Sequence, residues 1–152
     1  MKPTRYLLAL IVLGLSLTAC DLLERRNRKY TGEAKLEFFP LRQTVDEPDT
    51  LSKEVTVEIQ LIGRQRDSDL PVSFTVDDSS TAQAGTHYNL PSKSATIPAN
   101  SSQTTVTIEV LSNEKNDSDT NYELFLTLQD SDKVEAAENL KTHSLTIRGT
   151  ED

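Results

Sequence analysis

Side chains with catalytic chemistry are scarce in this chain of 152 residues. It holds two histidines, His87 and His143, and a single cysteine, Cys20. A nucleophilic triad needs a nucleophile beside a base that a third group orients, and a zinc site needs three or four ligands, most often histidine or cysteine. A single cysteine also excludes an intramolecular disulfide. The composition therefore predicts a non-enzymatic protein with no catalytic residues, no zinc site and no cofactor, with calcium as a possible but disfavoured exception.

Aromatic and basic residues are also few. Tryptophan is absent, so the core must consist of Val, Ile, Leu and a few Phe, which leaves little aromatic surface for stacking a sugar. Sixteen basic residues face 24 acidic ones, for a formal net charge of −8. A chain this acidic repels phosphate backbones, which excludes nucleic acid as a partner. The length suffices for one β-domain with a core, but not for two.

The longest apolar run lies at the N-terminus, at positions 6–17, and follows the basic residues Lys2 and Arg5. This pattern is typical of a secretory signal peptide, here residues 1–19, and the run is too short to span a membrane comfortably. The four residues that end it resemble the bacterial lipobox: Leu17, Thr18, Ala19 and Cys20.

In the lipobox, the cysteine is diacylated and becomes the N-terminus after cleavage. The resemblance implies that Cys20 anchors the protein to a membrane, which also explains a lone thiol in an exported chain. The alternative is an ordinary secretory signal that happens to end near a cysteine. Removal of residues 1–19 takes away Lys2 and Arg5 and no acid, so the formal charge of −8 becomes −10.

Residues 20–29 contain the lipidated cysteine and a polar, mostly basic tether. Arg25, Arg26, Arg28 and Lys29 fit a solvated spacer, and attraction to anionic lipid is the alternative.

From residue 30 to residue 152 the pattern has a period of two, which places alternate side chains on opposite faces of a strand. We predict about seven strands joined by segments rich in Asp, Ser, Asn, Gly and Pro, and hence an all-β, immunoglobulin-like antiparallel β-sandwich. The run VEAAENL, at 134–140, allows at most one turn of helix. The predicted strands lie at Leu36 and Phe38, Val55 to Leu61, Val72 to Val76, Ser94 to Pro98, Val106 to Val110, Leu124 to Leu128, and Leu145 with Ile147.

His143 and the acidic clusters are the other candidates for chemistry. His143 precedes Leu145 and Ile147 on the same face of a strand, which predicts a buried histidine with a backbone partner rather than a catalytic base. The acidic clusters lie in predicted turns, where Asp caps the backbone; calcium binding and a glycosidase-type carboxylate pair are the alternatives. The clusters are Asp46, Glu47 and Asp49; Asp67 and Asp69; Asp77 and Asp78; Asp117 and Asp119; Asp130 and Asp132.

Three segments together resemble the Calx-beta domain: TAQAGTHYNL at 81–90, SATIPANSSQTTVTIEVL at 94–111 and NYELFLTL at 121–128. Ala82, Gly85 and Tyr88 match the family's A-x-x-G-x-D-Y segment, and Pro98-Ala99-Asn100 matches its turn. Val106 with Ile108, and loosely Glu123, Phe125 and Leu128, match its later strands. The resemblance covers roughly residues 53–148 and implies an immunoglobulin-like sandwich.

The chain departs from this family at its calcium ligands. His87 stands where calcium-binding relatives carry Asp, and Lys115 adds a positive charge to the loop before the E-x-F strand. Both changes disfavour calcium. A lipobox joined to a G-x-H-Y segment resembles lipoproteins of Bacteroidetes-type bacteria, which implies placement in the cell envelope, at the outer membrane rather than the inner one.

Two functions remain open from the sequence. The first is a lipid-anchored β-sandwich that binds a glycan, a peptide or another envelope protein. The second is a structural or adhesion role, in which an edge strand pairs with a partner; Gly32 to Phe39 and His143 to Arg148 are the candidate edges.

Overall fold

In a computed structural model of the chain, residues 30–112 and 120–149 can be described, and they form ten β-strands and no helix. The strands are β1 (Lys35–Phe39), β2 (Arg42–Asp46), β3 (Ser52–Ile62), β4 (Leu70–Val76), β5 (Tyr88–Asn89), β6 (Ser94–Ile97), β7 (Gln103–Leu111), β8 (Asn121–Leu128), β9 (Glu135–Ala136) and β10 (Thr142–Arg148).

The strands form two five-stranded sheets. Sheet I has the order β5-β7-β3-β1-β9, and sheet II has the order β2-β10-β8-β4-β6. All neighbours are antiparallel except β1 with β9 and β10 with β2, which are parallel. The prediction of an all-β sandwich is therefore confirmed.

Period-two alternation places the core between the sheets. In β3, Val57, Ile59 and Leu61 are buried, whereas the intervening polar residues face outward. The rings of Phe38 in sheet I and Phe74 in sheet II meet edge to face, with centroids 6.1 Å apart. Aliphatic side chains fill most of the remaining core, and each fully buried one contributes about 1.5–3 kcal/mol of transfer free energy.

The chain crosses from sheet I to sheet II twice next to a proline. Pro40 follows β1, and Pro91 lies between β5 and β6. Because proline has no N–H to donate, it cannot continue a ladder in the middle of a sheet. After β1 the chain therefore leaves sheet I and continues as β2 in sheet II. After β5 it likewise leaves sheet I and continues as β6 in sheet II.

The structure corrects the predicted number of strands, which is ten and not about seven. Three short strands, β2, β5 and β9, had no clear alternating signal. The run 134–140 contains no helix: Glu135 and Ala136 form β9, which pairs with the start of β1, and a turn closed by Leu140 N–H and Ala137 O follows at 2.8 Å.

The predicted edge strands were also wrong. β10 lies inside sheet II, between β2 and β8. β1 is covered by β9, and its Phe38 N–H donates to Leu140 O at 3.0 Å. The two terminal strands gain these neighbours because β2 and the segment 135–140 fold back along them.

The signal peptide, the lipobox with Leu17, Thr18, Ala19 and Cys20, and the tether lie outside the described residues. Their assignments stay predictions. Between residues 30 and 112 and between 120 and 149, no helix is long and apolar enough to cross a bilayer.

Candidate functional site

The segment that resembles the Calx-beta motif connects β4 to β6 and contains β5. Its first residues are fastened to the start of β8, because the N–H groups of Thr81 and Ala82 both donate to Glu123 O, at 2.9 and 3.0 Å. Glu123 N–H donates in return to Thr81 Oγ1 at 2.8 Å. The side chain of Ala82 is buried. Hydrogen bonds to β8 thus fix the point where the loop begins.

Gly85 supplies the conformation that the turn in this loop requires. Its φ is +78°, in the left-handed region that favours glycine. His87 N–H donates to Gln83 O at 2.9 Å, and Gly85 N–H donates to Tyr88 O at 2.8 Å. A Cβ built at Gly85 would meet no atom within 4 Å, so backbone geometry, and not space, sets the preference for glycine.

His87 is 5% exposed and holds the loop together from the inside. Its Nδ1 accepts a hydrogen bond from Gln83 N–H at 2.9 Å, so Nδ1 carries no proton. Its ring stacks on Tyr122 at the start of β8, with centroids 3.8 Å apart and planes 28° apart. A metal ion could not use Nδ1 without breaking the bond to Gln83.

Tyr88 joins the motif to the core. Its side chain is 4% exposed and belongs to the same apolar cluster as the strands. Burial raises the pKa of its phenol, which is therefore neutral throughout the physiological range. Tyr88 pairs with Val110 across β5 and β7, and this pairing attaches the loop to sheet I.

A surface pocket of about 440 Å³ lies beside this segment, between the end of β4 and the crossing from β5 to β6. This volume falls within the range of small-ligand sites. Asn89 and Lys93 provide polar side chains, and among the described residues of the lining Lys93 alone carries a charge. The apolar part of the lining consists of Val76, Ala84, Tyr88, Leu90 and Pro91.

A hydrogen-bonded carboxylate lies next to the pocket. Asn89 Nδ2 donates to Glu109 Oε2 at 3.0 Å, and Ser52 Oγ donates to Glu109 Oε1 at 2.7 Å. These two bonds lower the pKa of Glu109 and keep it ionised. One amide N–H of Asn89 is therefore engaged, and among the described residues its other side-chain polar atoms have no hydrogen-bond partner.

His143 lies in the core and is fully buried. Its Nδ1–H donates to Pro40 O at 2.7 Å, and its ring centroid lies 5.9 Å from that of Phe38. Nε2 has no hydrogen-bond partner in the described structure, and burial lowers the pKa of the imidazole. This placement agrees with the prediction of a buried histidine with a backbone partner.

Several residues of the acidic clusters cap backbone groups or pair with a nearby cation. Asp69 Oδ1 accepts from Ala99 N–H at 2.9 Å, and Asp130 Oδ1 accepts from Ala136 N–H at 2.8 Å. Asp77 accepts from the N–H and hydroxyl of Ser79, which lower the pKa of its carboxyl. Asp46 pairs with Arg148 at 2.7 Å.

No group of three or more His, Cys, Asp or Glu side chains capable of holding a metal occurs in the described ranges. Asp117 and Asp119 lie outside those ranges, as does Lys115.

Sequence reasoning singled out Ala82, Gly85, His87 and Tyr88, and the structure places all four in one loop. It did not single out Lys93 or the ring partner Tyr122. Pro91, two residues after the end of β5, is the sequence signal that could have indicated the crossing that forms one wall of the pocket.

A family model described as "Domain of unknown function (DUF4843)" matches residues 44–150, more than two thirds of the chain. The chain belongs to the DUF4843 family. No curated protein matches the sequence of this DUF4843 protein.

Solved structures share the fold of the DUF4843 chain at low sequence identity. The apo-form Calx CBD1 domain matches with a TM-score of 0.66 and 20% identity, over 79% of this chain and 100% of that one. A proposed carbohydrate-binding protein from Bacteroides ovatus matches with a TM-score of 0.62 and 12% identity, over 77% of this chain and 38% of that one.

EndoBT-3987 from Bacteroides thetaiotamicron, solved with a Man5GlcNAc product, matches with a TM-score of 0.57 and 12% identity. The match covers 75% of this chain and 30% of that one, so the sandwich corresponds to less than a third of that protein. At these identities the likeness establishes the fold alone. The DUF4843 chain has a Calx-beta-like fold, as its motifs predict.

Proposed function

We propose that this DUF4843 protein is a lipid-anchored, non-enzymatic component of the cell envelope whose sandwich binds a glycan. The pocket beside the motif segment carries the proposal. It combines apolar side chains with one amide and one ammonium group, a combination that can pack against a sugar ring and hydrogen-bond its hydroxyls. A peptide or an envelope protein is the other kind of ligand.

Two observations favour a glycan. The pocket lies at a crossing between two sheets, so Leu90 and Pro91 offer a rigid apolar wall next to Lys93. In addition, the Bacteroides ovatus protein with the same fold is a proposed carbohydrate-binding protein. The proposal transfers that ligand class, and no particular sugar, to the pocket.

The anchor is proposed from Cys20 and the three lipobox residues before it. One acyl chain would give only marginal membrane binding, whereas a multiply acylated cysteine holds a protein stably. The resemblance to Bacteroidetes-type lipoproteins supports the outer membrane over the inner one.

Non-catalytic binding is proposed because the histidines have other roles. His143 is fully buried in the core, and His87 has its Nδ1 engaged by Gln83 N–H. Neither imidazole is placed at the pocket lining to act as a general base.

Binding to a panel of neutral and acidic polysaccharides by the purified protein tests this proposal. Lys93→Ala should weaken binding by about tenfold, since a hydrogen bond to a charged group contributes about 1.5–3 kcal/mol. Lys53→Ala is the matched control, because it removes the same charge from an exposed position on β3, and it should bind as the wild type does.

Equal loss of binding in Lys53→Ala and Lys93→Ala would show that only net charge matters and would reject the pocket. Release of shortened or hydrolysed sugar during the titration would reject the non-enzymatic role.

A further inference from the structure

Strand β7 is paired along its full length on one side only. It runs from Gln103 to Leu111, and β3 pairs with it from Gln103 to Leu111. On the opposite side, β5 pairs with Glu109 and Val110 alone. Most of the outer edge of β7 therefore has no strand beside it among the described residues.

Two hydrogen bonds establish which backbone groups point to this edge. Leu61 N–H donates to Ser102 O, so the backbone of Ser102 faces β3. Leu111 N–H donates to His87 O, so the backbone of Leu111 faces the β5 side. Because these directions alternate along an antiparallel strand, the N–H and C=O groups of Thr105 and Thr107 face outward. Neither has a backbone partner on that side in the part of the chain that the structure describes.

The pairing register explains why β5 does not cover them. Tyr88 is opposite Val110 and Asn89 is opposite Glu109, so a continued strand would place Pro91 opposite Thr107. Proline has no N–H to donate to Thr107 O. The chain instead crosses to sheet II as β6 and returns through the turn 98–102, leaving an open edge of about six residues, or about 20 Å.

The composition of this edge differs from that of protected edges. Natural sheets block exposed edges with lysine, other charges or proline. Residues Gln103 to Ile108 carry no charge, and five of the six are β-branched. The other partly open edge, at the start of β3, carries Lys53 and Glu54, and Gln43 Nε2 there donates to Thr56 O at 3.3 Å.

We infer that the open edge of β7 accepts an extended segment of a partner protein as an added strand. Side chains of such a strand that face outward would lie beside Thr105 and Thr107, next to the carboxylates of Glu54, Glu58 and Glu109 on the outer face of sheet I. Charge complementarity therefore identifies the partner segment as one in which basic residues alternate with apolar ones.

A second copy of the chain fits this edge less well. The edge is bracketed by β5 at one end and by the turn 98–102 at the other. If the β7 edges of two copies paired, β5 of each copy would have to pass the turn 98–102 of the other copy. A short peptide strand meets no such obstacle. The open edge adjoins the pocket, because Asn89 lines the pocket and donates to Glu109 of β7. Lys93 lies outside β5 and β7, so Lys93→Ala should leave peptide binding unchanged.

The test uses the full-length chain in detergent micelles and two seven-residue peptides, one alternating valine with lysine and the other alternating valine with glutamate. We expect the lysine peptide to bind and to slow hydrogen exchange at the amides of Thr105 and Thr107. Thr107→Pro removes only an N–H that faces the open edge, and it should weaken binding by about tenfold, the equivalent of one or two backbone hydrogen bonds. Thr56→Pro, the matched control, removes an N–H on β3 that faces away from β7 and leaves the carboxylates in place, so it should bind as the wild type does.

Equal binding of the two peptides would overturn the charge argument, and unchanged binding by Thr107→Pro would overturn the site. Slow exchange of both threonine amides in the monomer without peptide would show that the edge is already covered. Light scattering could instead show a dimer for the wild type and a monomer for Thr107→Pro. That result would mean that the occupant of the edge is a second copy of the chain and not a peptide.

Discussion

His87 occupies the position where calcium-binding Calx-beta relatives carry an aspartate. Here its Nδ1 accepts from Gln83 N–H and its ring stacks on Tyr122, so the imidazole holds the loop to the start of β8. An aspartate could also accept the hydrogen bond from Gln83 N–H, but it could not stack on the ring of Tyr122.

Substitutions at the two neighbouring residues should therefore have different effects. Tyr88→Ala should lower the free energy of unfolding by about 3–5 kcal/mol, as expected for a buried aromatic residue. His87→Ala should leave calcium affinity unchanged. Thermal unfolding with and without calcium measures both effects, and a calcium-dependent melting temperature that His87→Ala abolishes would contradict this account.

Gly85 allows a second prediction for the same loop. Gly85→Ala should destabilise the domain by about 1 kcal/mol because alanine resists a left-handed φ. Gly85→Asn should cost less, since asparagine visits that region more readily; Asn100, at φ +59°, does so in this chain. Urea unfolding measures the difference, and equal losses for both variants would show that φ is not the cause.

The buried imidazole of His143 predicts a dependence of stability on pH. Burial lowers its pKa in the folded state below the ordinary value of 6.5, so the unfolded state binds a proton more readily. The corresponding stability is fully present above pH 6.5 and is lost as the pH falls below it. The melting temperature should therefore fall between pH 7 and pH 5, and His143→Leu should flatten that slope. An identical slope in the variant would assign the effect to other groups.

At the scale of elements, alternation in the sequence predicted the strands that form most of the two sheets. Strands β3, β4, β7, β8 and β10 each carry three or more inward-facing side chains, which is enough to show the period of two. Strands β5 and β9 have two residues each, and their pairing depends on distant partners in β7 and β1. A local pattern cannot report such pairings, because they form only when the sheets are assembled.

The candidate site divides in the same way. The motif residues Gly85, His87 and Tyr88 were visible because their order is distinctive. Lys93 and Tyr122 became part of the description only when the crossing at Pro91 and the start of β8 were placed beside that motif. The path of the chain as it crosses between the sheets determines which residues line the pocket. The sequence indicates only where such a crossing can occur.

The contact between Phe38 and Phe74 joins the two sheets and tests how they pack. Each truncation to alanine should cost about 3–5 kcal/mol, and a double-mutant cycle should give a coupling of about 1 kcal/mol from the edge-to-face pair. Denaturant unfolding of the two single variants and the double variant provides the measurement. A coupling indistinguishable from zero would mean that the rings contribute only their separate burial.

At the scale of the whole molecule, we propose that a short basic tether joins an acidic sandwich to a membrane. Cleavage before Cys20, as proposed, would leave a formal charge of −10, and anionic head groups would then repel the domain while the proposed acyl chains held it near the bilayer. The pocket beside β5 and the open edge of β7 are the two surfaces proposed to bind ligands.

The anchored state of the protein is the claim on which its proposed role in the envelope depends, and the intact mass of the protein extracted from membranes tests it most directly. We expect a chain that begins at Cys20 and carries the added mass of a diacylglyceryl group, and we expect Cys20→Ala to leave the membrane fraction. A membrane-extracted chain that begins elsewhere, or an unmodified Cys20, would contradict the account.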